Sequence, residues 1–313
     1  MPARPAHAAG AQHSGATPAL PEELLRPVLV IVGPTGIGKT RTAFEVARRL
    51  GGDILVADSR QAYQRLHIAT NHPPDEYRAQ LRYRGIEFAD PVSQVASVFD
   101  FLREAGSDAP AVVEGGSMLW VDALTEGFDL AGVPPDPARR AELQGLSTGE
   151  LAAEVRRLDP HARVDFNNPV RLVRAVEILE AAGPPLHAAR RRLPPRWPFR
   201  RLGLEAPPEV IERRLRVRCR EQVERGLLAE TQAALDAGVP RAHPVLTGIG
   251  YAEALDFLEG RISESELPER MLISNRRYGR RQLAWFKRHP DTTWLPAEPD
   301  PVPAILGLLE TAV

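Results

Sequence analysis

Three observations predict an α/β fold in which helices flank a parallel β-sheet. A short apolar and β-branched run, residues 27–32, ends in a glycine, as buried parallel strands often do. Residues 41–50 then carry apolar side chains at helical spacing, and the run stops at Gly51 and Gly52. A second apolar run, residues 53–57, follows at once. Strand, helix and strand at this spacing are typical of a βαβ unit, whose sites lie at the carboxyl ends of its strands.

Further along the chain the same alternation continues. A helical stretch around residues 95–105 precedes a third predicted strand, residues 111–113, and residues 201–204 are predicted to return to the sheet. Two long helices are predicted after that, over residues 210–237 and 267–289.

Composition shifts divide the chain into regions. The first 26 residues are rich in Ala, Pro, Gly and His without an apolar core, so a disordered tail is expected rather than a secretory signal. Residues 27–131 and 200–313 are predicted to form one catalytic core. Between them, residues 132–199 begin at a proline-rich linker and have helical patterns, which predicts a helical insertion domain.

Bulk properties exclude several classes of protein. No uncharged apolar stretch reaches the roughly 18 residues of a membrane span, so no membrane association is expected. The single cysteine, Cys219, rules out a disulfide framework and a thiolate zinc site within the chain. A cytoplasmic monomer is expected. The net charge is −1, and among 40 basic residues the only lysines are Lys39 and Lys287. A GC-rich coding sequence explains the excess of arginine, and against it a lysine at position 39 stands out.

Residues 33–40, GPTGIGKT, match the phosphate-loop pattern G-x-x-x-x-G-K-[ST] between a strand and a helix. Such a loop wraps its N–H groups around phosphate oxygens, and its hydroxyl is placed to bind Mg²⁺. The fold class therefore narrows to a P-loop NTPase-like sheet that binds a diphosphate or a triphosphate. Glu114 ends the third strand and could hold the metal, which leaves a kinase open at this point. The predicted diphosphate ligands are Gly33, Thr35, Gly36, Gly38, Lys39 and Thr40, with Thr40 as the metal ligand.

Six further segments, in order, resemble motifs of the tRNA dimethylallyltransferases, also called tRNA isopentenyltransferases. In that family an A-D-S-x-Q-x-Y segment follows the phosphate loop, and later motifs include G-G-T-x-L-Y, D-P-x-R-x-x-R-A-L-E and A-I-G-Y. The matching segments here are residues 57–64, 115–120, 168–177, 226–230, 248–251 and 276–285. The resemblance covers roughly residues 28–290.

The chain departs from the family pattern at three places. Residues 69–73 read ATNHP where the family has G-T-x-K-P, so His72 stands in the place of the lysine. Residues 84–88 replace a His-His-Leu segment, and Ser117 replaces a threonine while keeping the hydroxyl. Residues 114–117 also resemble the adenylate isopentenyltransferases, which act on free nucleotides.

The resemblance implies a reaction and a set of roles. A dimethylallyl group would pass from dimethylallyl diphosphate to N6 of adenosine 37 in a tRNA anticodon stem-loop, with Mg²⁺ as cofactor. Asp58, at the end of the second strand, would accept the N6 proton. Ser117 would hydrogen-bond the bridging oxygen or a phosphate. Arg214 and Arg218 lie one turn apart on one helix, and the resemblance implies that one of them reaches the diphosphate.

The resemblance and the basic character of the last long helix also predict a tRNA surface. The predicted tRNA-binding residues are Asp58, Ser59, Arg60, Gln61, Arg139, Val170, Arg171, Arg174, Gly250, Tyr251, Arg276, Arg280 and Arg281. Two alternatives remain at this stage. One is an adenylate isopentenyltransferase, and the other is a P-loop small-molecule kinase in which residues 190–192, three arginines, would form a lid.

Overall fold

The computed structural model describes residues 26–127, 133, 136–188 and 194–310. Three predictions fall on other residues and lie outside the described part of the chain. They are the N-terminal tail apart from Arg26, Pro134 and Pro135 of the linker, and the proposed arginine lid at residues 190–192.

A parallel sheet runs through the centre of the described chain. Its six strands have the order β3-β2-β4-β1-β5-β6, and every neighbouring pair is parallel. The fold-class prediction is confirmed. The strands are β1 (Val28–Val32), β2 (Ile54–Val56), β3 (Tyr83–Arg84), β4 (Val112–Glu114), β5 (Phe199–Glu205) and β6 (Thr293–Pro296).

Helices cover both faces of this sheet, and no helix of the described chain is long and apolar enough to cross a membrane. The helices are α1 (Lys39–Leu50), α2 (Asp75–Arg78), α3 (Val98–Glu104), α4 (Met118–Thr125), α5 (Pro137–Gln144), α6 (Thr148–Leu158), α7 (Pro169–Ala182), α8 (Pro208–Glu224), α9 (Leu227–Asp236), α10 (Tyr251–Leu258), α11 (Leu267–Phe286) and α12 (Val302–Glu310).

β1 contributes side chains to two apolar cores, one on each face of the sheet, because successive side chains of a strand point to opposite faces. Val30 and its neighbours two residues away belong to the core under α3, α4 and α8 to α11. Leu29 and Ile31 belong to the opposite core, which α1 and α12 cover with Phe44 and Ile305. All five residues of β1 are buried, as the unbroken apolar run predicts. The phosphate loop therefore begins at the end of a strand that is packed against apolar side chains on both faces.

The prediction of one helix over residues 210–237 is wrong. The segment forms α8 and α9, which are separated at Arg225 and Gly226. Gly226 has a φ of +97°, a left-handed conformation that glycine adopts without steric cost. The apolar spacing continues through this point because both helices bury side chains in the same core. The pattern alone therefore predicts a single helix.

The helices α5, α6 and α7 lie within the predicted insertion. They share an apolar core of their own, which includes Leu143, Leu151 and Leu172. The side chain of Asn168 begins α7 by accepting a hydrogen bond from the backbone N–H of Arg171 at 3.2 Å. Their separate core matches what a helical insertion requires, while the status of residues 132–199 as a domain stays a prediction.

The buried cysteine supplies a test of the packing between α8 and α11. Cys219 is 1% exposed, and burial raises the pKa of its thiol to about 11. The thiol is therefore protonated at pH 8, with a thiolate fraction about a hundredfold below that of a free cysteine. We expect iodoacetamide to alkylate the native protein at least about a hundredfold more slowly than the urea-unfolded chain. The native rate should climb until the pH passes about 11. Equal rates in the two states would contradict the packing described here.

Candidate active site

The phosphate loop carries the chain from β1 to the first turn of α1. Gly36 and Gly38 both have positive φ values, +82° and +103°, which side chains with a Cβ rarely adopt. A Cβ on Gly36 would also lie 2.7 Å from Cδ2 of Leu215, so α8 packs closely behind the loop. Backbone conformation and packing thus both require glycine at position 36, and backbone conformation favours it at position 38.

Lys39 begins α1 and points into the loop. Its Nζ donates hydrogen bonds to the carbonyls of Gly33 at 3.0 Å and Pro34 at 3.1 Å. Burial lowers the pKa of Lys39 to about 8, and the carboxylates of Glu114 and Asp58 act against that change. The ammonium group is therefore mostly charged at neutral pH, and it is placed to bind an anion that enters the loop.

Glu114 ends β4 beside the loop and is 3% exposed. Its Oε2 accepts a hydrogen bond from Oγ1 of Thr40 at 3.2 Å, and its Oε1 is buried without a partner among the described residues. Burial raises the pKa of Glu114 to about 7, although Lys39 and the Thr40 hydroxyl lower it. Carboxylate and hydroxyl oxygens are the donors that Mg²⁺ prefers, so this pair fits a magnesium ion.

Asp58 lies just beyond the end of β2. Its Oδ1 accepts a hydrogen bond from the backbone N–H of Arg60 at 2.9 Å, which closes an Asx turn. Burial raises the pKa of Asp58, while the Arg60 hydrogen bond and the charges of Lys39 and Arg218 lower it. The carboxyl group is therefore a stronger proton acceptor than an ordinary surface aspartate would be, yet cations surround it.

Ser117 lies at the start of α4 and is 8% exposed. Its Oγ accepts a hydrogen bond from the backbone N–H of Ser59 at 2.8 Å and donates one to Oγ of Ser59 at 3.1 Å. In this structure the hydroxyl therefore holds the turn after Asp58. The predicted contact with a phosphate or bridging oxygen stays a prediction.

Arg214 and Arg218 have different surroundings although they lie one turn apart. Arg218 donates hydrogen bonds to Oγ1 of Thr35 at 2.9 Å and Oδ1 of Asn275 at 2.7 Å, inside the cavity that contains Lys39. Arg214 donates to the carbonyl of Ile37 and to Glu298, each at 2.8 Å, and lines a different cavity. These surroundings favour Arg218 over Arg214 as the arginine that contacts a diphosphate, and that contact stays a prediction.

Two adjacent cavities meet at Asp58, and each has a volume of about 310 Å³. The inner cavity is lined by the phosphate loop, including Lys39 and Thr40, and by Glu114. The outer cavity is lined by the residues after Asp58 and by parts of α10 and α11. Both cavities are bordered by Thr35, Asp58, Thr70, Asn71 and Arg218. A ligand that spans them would have its phosphates at the loop and its other end near the Asp58 carboxylate.

Gln282 on α11 is a site residue that the sequence analysis missed. Its Oε1 accepts a hydrogen bond from the backbone N–H of Thr35 at 2.8 Å, and its Nε2 donates to the carbonyl of Gly116 at 2.9 Å. The hydroxyl of Tyr278 donates to the same carbonyl at 3.1 Å. Thus α11 connects the phosphate loop to the loop after β4. A glutamine on the buried face of an arginine-rich helix was the available signal.

Comparison with known proteins identifies the family. A family model described as IPP transferase matches residues 61–289. The chain belongs to the IPP transferase family. The tRNA dimethylallyltransferase of Thermomicrobium roseum is 35% identical over 283 residues, which cover 86% of each chain. That of Corynebacterium jeikeium is 33% identical over 297 residues, or 90% of this chain and 94% of its own. The crystal structure of a tRNA isopentenylpyrophosphate transferase from Bacillus halodurans has a TM-score of 0.63 at 27% identity, covering 91% and 95% of the two chains.

The predicted tRNA residues of this IPP transferase fall into separate groups. Ser59, Arg60 and Arg281 line the outer cavity beside Asp58, whereas Gln61 lines the inner one. Nη1 of Arg60 is buried without a hydrogen-bond partner in the described part of the chain. With Asp58 itself and Tyr251, this arrangement brings five of the thirteen predicted residues to the outer cavity.

The remaining basic residues lie farther along the surface. On α7, Val170 is 77% exposed and Arg171 is exposed, whereas Arg174 donates hydrogen bonds to Glu177 and to the carbonyl of Val133. On α5, Arg139 is paired with Glu142 and Glu180. On α11, Arg280 is exposed, and Arg276 lies 3.3 Å from Glu212. Exposure leaves Val170, Arg171 and Arg280 accessible to a large partner.

Tyr251 borders the outer cavity, and its contact with tRNA, like that of Gly250, stays a prediction. Tyr251 is 1% exposed, and its hydroxyl donates to Oε1 of Glu230 at 2.5 Å. Glu230 also accepts the backbone N–H groups of His67 and Ile68. Together these contacts hold the loop that carries Thr70 and Asn71 to both cavities. The hydroxyl of Tyr251 is therefore engaged in positioning that loop.

Replacement of Tyr251 by phenylalanine tests this role. The variant loses one hydrogen bond to a carboxylate, so we expect the free energy of unfolding in urea to fall by about 1.5–3 kcal/mol. Tyr83→Phe is the matched control, because the Tyr83 hydroxyl is buried without a partner in the described residues and its loss should change stability by less than about 0.5 kcal/mol. Equal losses in the two variants would show that the contact with Glu230 does not stabilise the loop.

Proposed function

We propose that the chain transfers a dimethylallyl group from dimethylallyl diphosphate to N6 of adenosine 37, next to the anticodon of a tRNA, and releases diphosphate. The observation that carries this proposal is the position of Asp58, where the phosphate-loop cavity meets the outer cavity. The names of the relatives support prenyl transfer to tRNA. The chain is accordingly a transferase, and we expect it to act as a monomer in the cytoplasm.

The inner cavity would bind the diphosphate. The N–H groups of the loop, the ammonium of Lys39 and the guanidinium of Arg218 surround the volume in which phosphate oxygens would lie. As the bond between allylic C1 and the bridging oxygen breaks, its electron pair stays on the diphosphate. Fixed cations stabilise that developing charge more than they stabilise the substrate, which is how they lower the barrier.

Asp58 would accept the proton that the nucleophile loses. The N6 lone pair forms the new bond to C1, and an N6 proton passes to the carboxylate. Because burial raises the pKa of Asp58, it is more basic than a free aspartate, and the Asx turn with Arg60 fixes its orientation. The Ser117 hydroxyl supports this turn by binding Ser59. These contacts keep the acceptor oxygen at the boundary of the two cavities.

Magnesium is proposed as the cofactor. Thr40 and Glu114 would hold it, since the unpartnered buried Oε1 of Glu114 suits a hard cation. When bound, the ion would neutralise charge on the diphosphate.

The outer cavity would take the adenine of the tRNA. An enzyme that modifies a base needs that base unstacked, and a pocket lined by polar and aromatic side chains receives it. Arg60, Tyr278 and Arg281 line this cavity, with the Arg281 guanidinium 5.6 Å from the centre of the Tyr278 ring. Exposed Arg171 and Arg280 would contact the backbone of the anticodon stem-loop.

The two alternatives are less well supported. An adenylate isopentenyltransferase has no need for the basic surface of α11, and the relatives reported above carry tRNA in their names. A small-molecule kinase offers no reason for a carboxylate at the boundary of two cavities. Its predicted lid lies outside the described residues.

Labelled dimethylallyl diphosphate distinguishes these functions. The purified chain would be incubated with Mg²⁺ and either unmodified tRNA or AMP, and ATP hydrolysis would be followed in parallel. Label in tRNA is the expected result. Label in AMP alone would move the chain to the nucleotide-prenylating class, and ATP hydrolysis without labelled product would support the kinase.

A further inference from the structure

The side chains of two histidines and a glutamate lie close together beside the loop that carries Thr70 and Asn71 to both cavities. His67 and His72 lie between β2 and α2, and Glu87 follows β3. One ligand atom from each lies within 4.8 Å of the others. We propose that His67, His72 and Glu87 form a binding site for a divalent transition-metal ion of the zinc type. Two imidazole nitrogens and one carboxylate oxygen are a donor set that suits Zn²⁺ and leaves a fourth position for water.

The hydrogen bonds around His72 select the tautomer that a metal needs. The hydroxyl of Thr70 donates its single hydrogen to the carbonyl of Leu66 at 2.6 Å. Its oxygen therefore accepts from Nδ1 of His72, which lies 2.8 Å away. With the proton on Nδ1, the lone pair is on Nε2, and Nε2 is buried without a hydrogen-bond partner in the described residues. Ligating histidines are commonly oriented by such a bond from the other ring nitrogen.

An imidazole that has a free lone pair on one ring nitrogen is the form that binds a metal, so His72 offers its buried, unpartnered Nε2 as the ligand atom.

Glu87 is shared between the cluster and an arginine. Its Oε1 lies 2.6 Å from Nε2 of His67, and its Oε2 lies 2.9 Å from Nη1 of Arg78. The second contact orients the carboxylate while leaving Oε1 directed at the histidine. A bound ion would lie between His67 and Glu87, and bonds of about 2.0–2.1 Å would place the two ligand atoms roughly 3.3 Å apart. The side chains of His67 and Glu87 are partly exposed, whereas Nε2 of each histidine is buried.

This site is distinct from the proposed magnesium site at Thr40 and Glu114. A metal at this position would join the segment before α2 to the segment after β3. It would thereby stabilise the loop between His67 and His72, which carries Thr70 and Asn71 to the cavities.

Binding of Co²⁺ to the full-length protein, followed by visible absorption and calorimetry, tests the proposal. His7 and His13 would be replaced by glutamine in every protein, so that tail histidines contribute nothing. One equivalent of Co²⁺ should bind, give visible bands and be displaced by Zn²⁺. His72→Gln and Glu87→Gln should each weaken binding by at least about tenfold, and Thr70→Val, which removes the acceptor for Nδ1–H, by about 10–100-fold.

His161→Gln is the matched control, since His161 is an exposed histidine outside the cluster and its loss should leave binding unchanged. Circular dichroism would verify that each variant is folded. A Zn²⁺-dependent rise in melting temperature should occur in the reference protein and be absent from folded His72→Gln. No stoichiometric binding in the reference protein, or undiminished binding in His72→Gln, would overturn the proposal.

Discussion

Replacement of Asp58 by asparagine is expected to lower kcat for prenyl transfer by about a hundredfold to ten-thousandfold, because the amide cannot accept the N6 proton. The variant keeps the fold of the site, since an asparagine Oδ1 can still accept the Arg60 N–H that closes the Asx turn. KM for dimethylallyl diphosphate should change little, because the phosphate contacts are made elsewhere in the inner cavity. Single-turnover transfer to tRNA measures the step directly.

The same residue predicts the acid side of the pH profile. Only the ionised carboxylate can accept a proton, so activity is lost as the pH falls through the pKa of Asp58. Burial raises that pKa, and the acid limb of kcat/KM should therefore lie above the usual range of an aspartate. Asp75→Asn is the control, because the Asp75 side chain is 95% exposed and should leave rate and profile unchanged. A loss of less than tenfold in Asp58→Asn would exclude this carboxylate as the base.

Arg218→Gln is expected to lower kcat/KM by about a hundredfold to a thousandfold, the usual effect of removing one preorganised donor from a developing anion. Arg218 lines both cavities and lies next to Thr35 of the phosphate loop. Arg214→Gln is the matched control. It removes the same charge from the same helix, but from a side chain that binds Ile37 and Glu298 outside both cavities. The Arg214→Gln replacement should lower kcat/KM by less than about tenfold, as expected for the loss of a partly exposed ion pair.

Steady-state kinetics with both substrates separates the two arginines. A larger loss of kcat/KM in Arg214→Gln than in Arg218→Gln would mean that the diphosphate lies in the separate cavity beside Arg214 and not in the inner cavity. Thermal melts belong to the experiment, because Arg218 also bonds Asn275 on α11, and its replacement could loosen that contact.

The sequence predicts the central part of this fold well because local and global signals agree there. β1 is a buried parallel strand and needs apolar residues on both faces, and the phosphate loop needs glycines where φ is positive. The edge strands are different. β3 has two residues, neither of them fully buried, and β6 is partly exposed throughout, so neither has a periodicity to detect. Their positions are set by pairing with β2 and β5.

The candidate site likewise contains some residues that the sequence predicts and others that it does not. Lys39, Thr40 and Asp58 follow directly from motifs, and the structure places all three around the inner cavity. Spacing alone could not separate Arg214 from Arg218, because the two lie one helical turn apart and differ only in what packs beside each guanidinium. Likewise, burial of Tyr251 against Glu230 depends on residues twenty-one positions apart.

The most direct measurement is nucleoside mass spectrometry of an unmodified tRNA after incubation with the protein, dimethylallyl diphosphate and Mg²⁺. One dimethylallyl group should appear on adenosine 37, and a tRNA with guanosine at that position should gain none. Prenylation at another position, or an unmodified tRNA in the presence of active, folded protein, would contradict the proposed function.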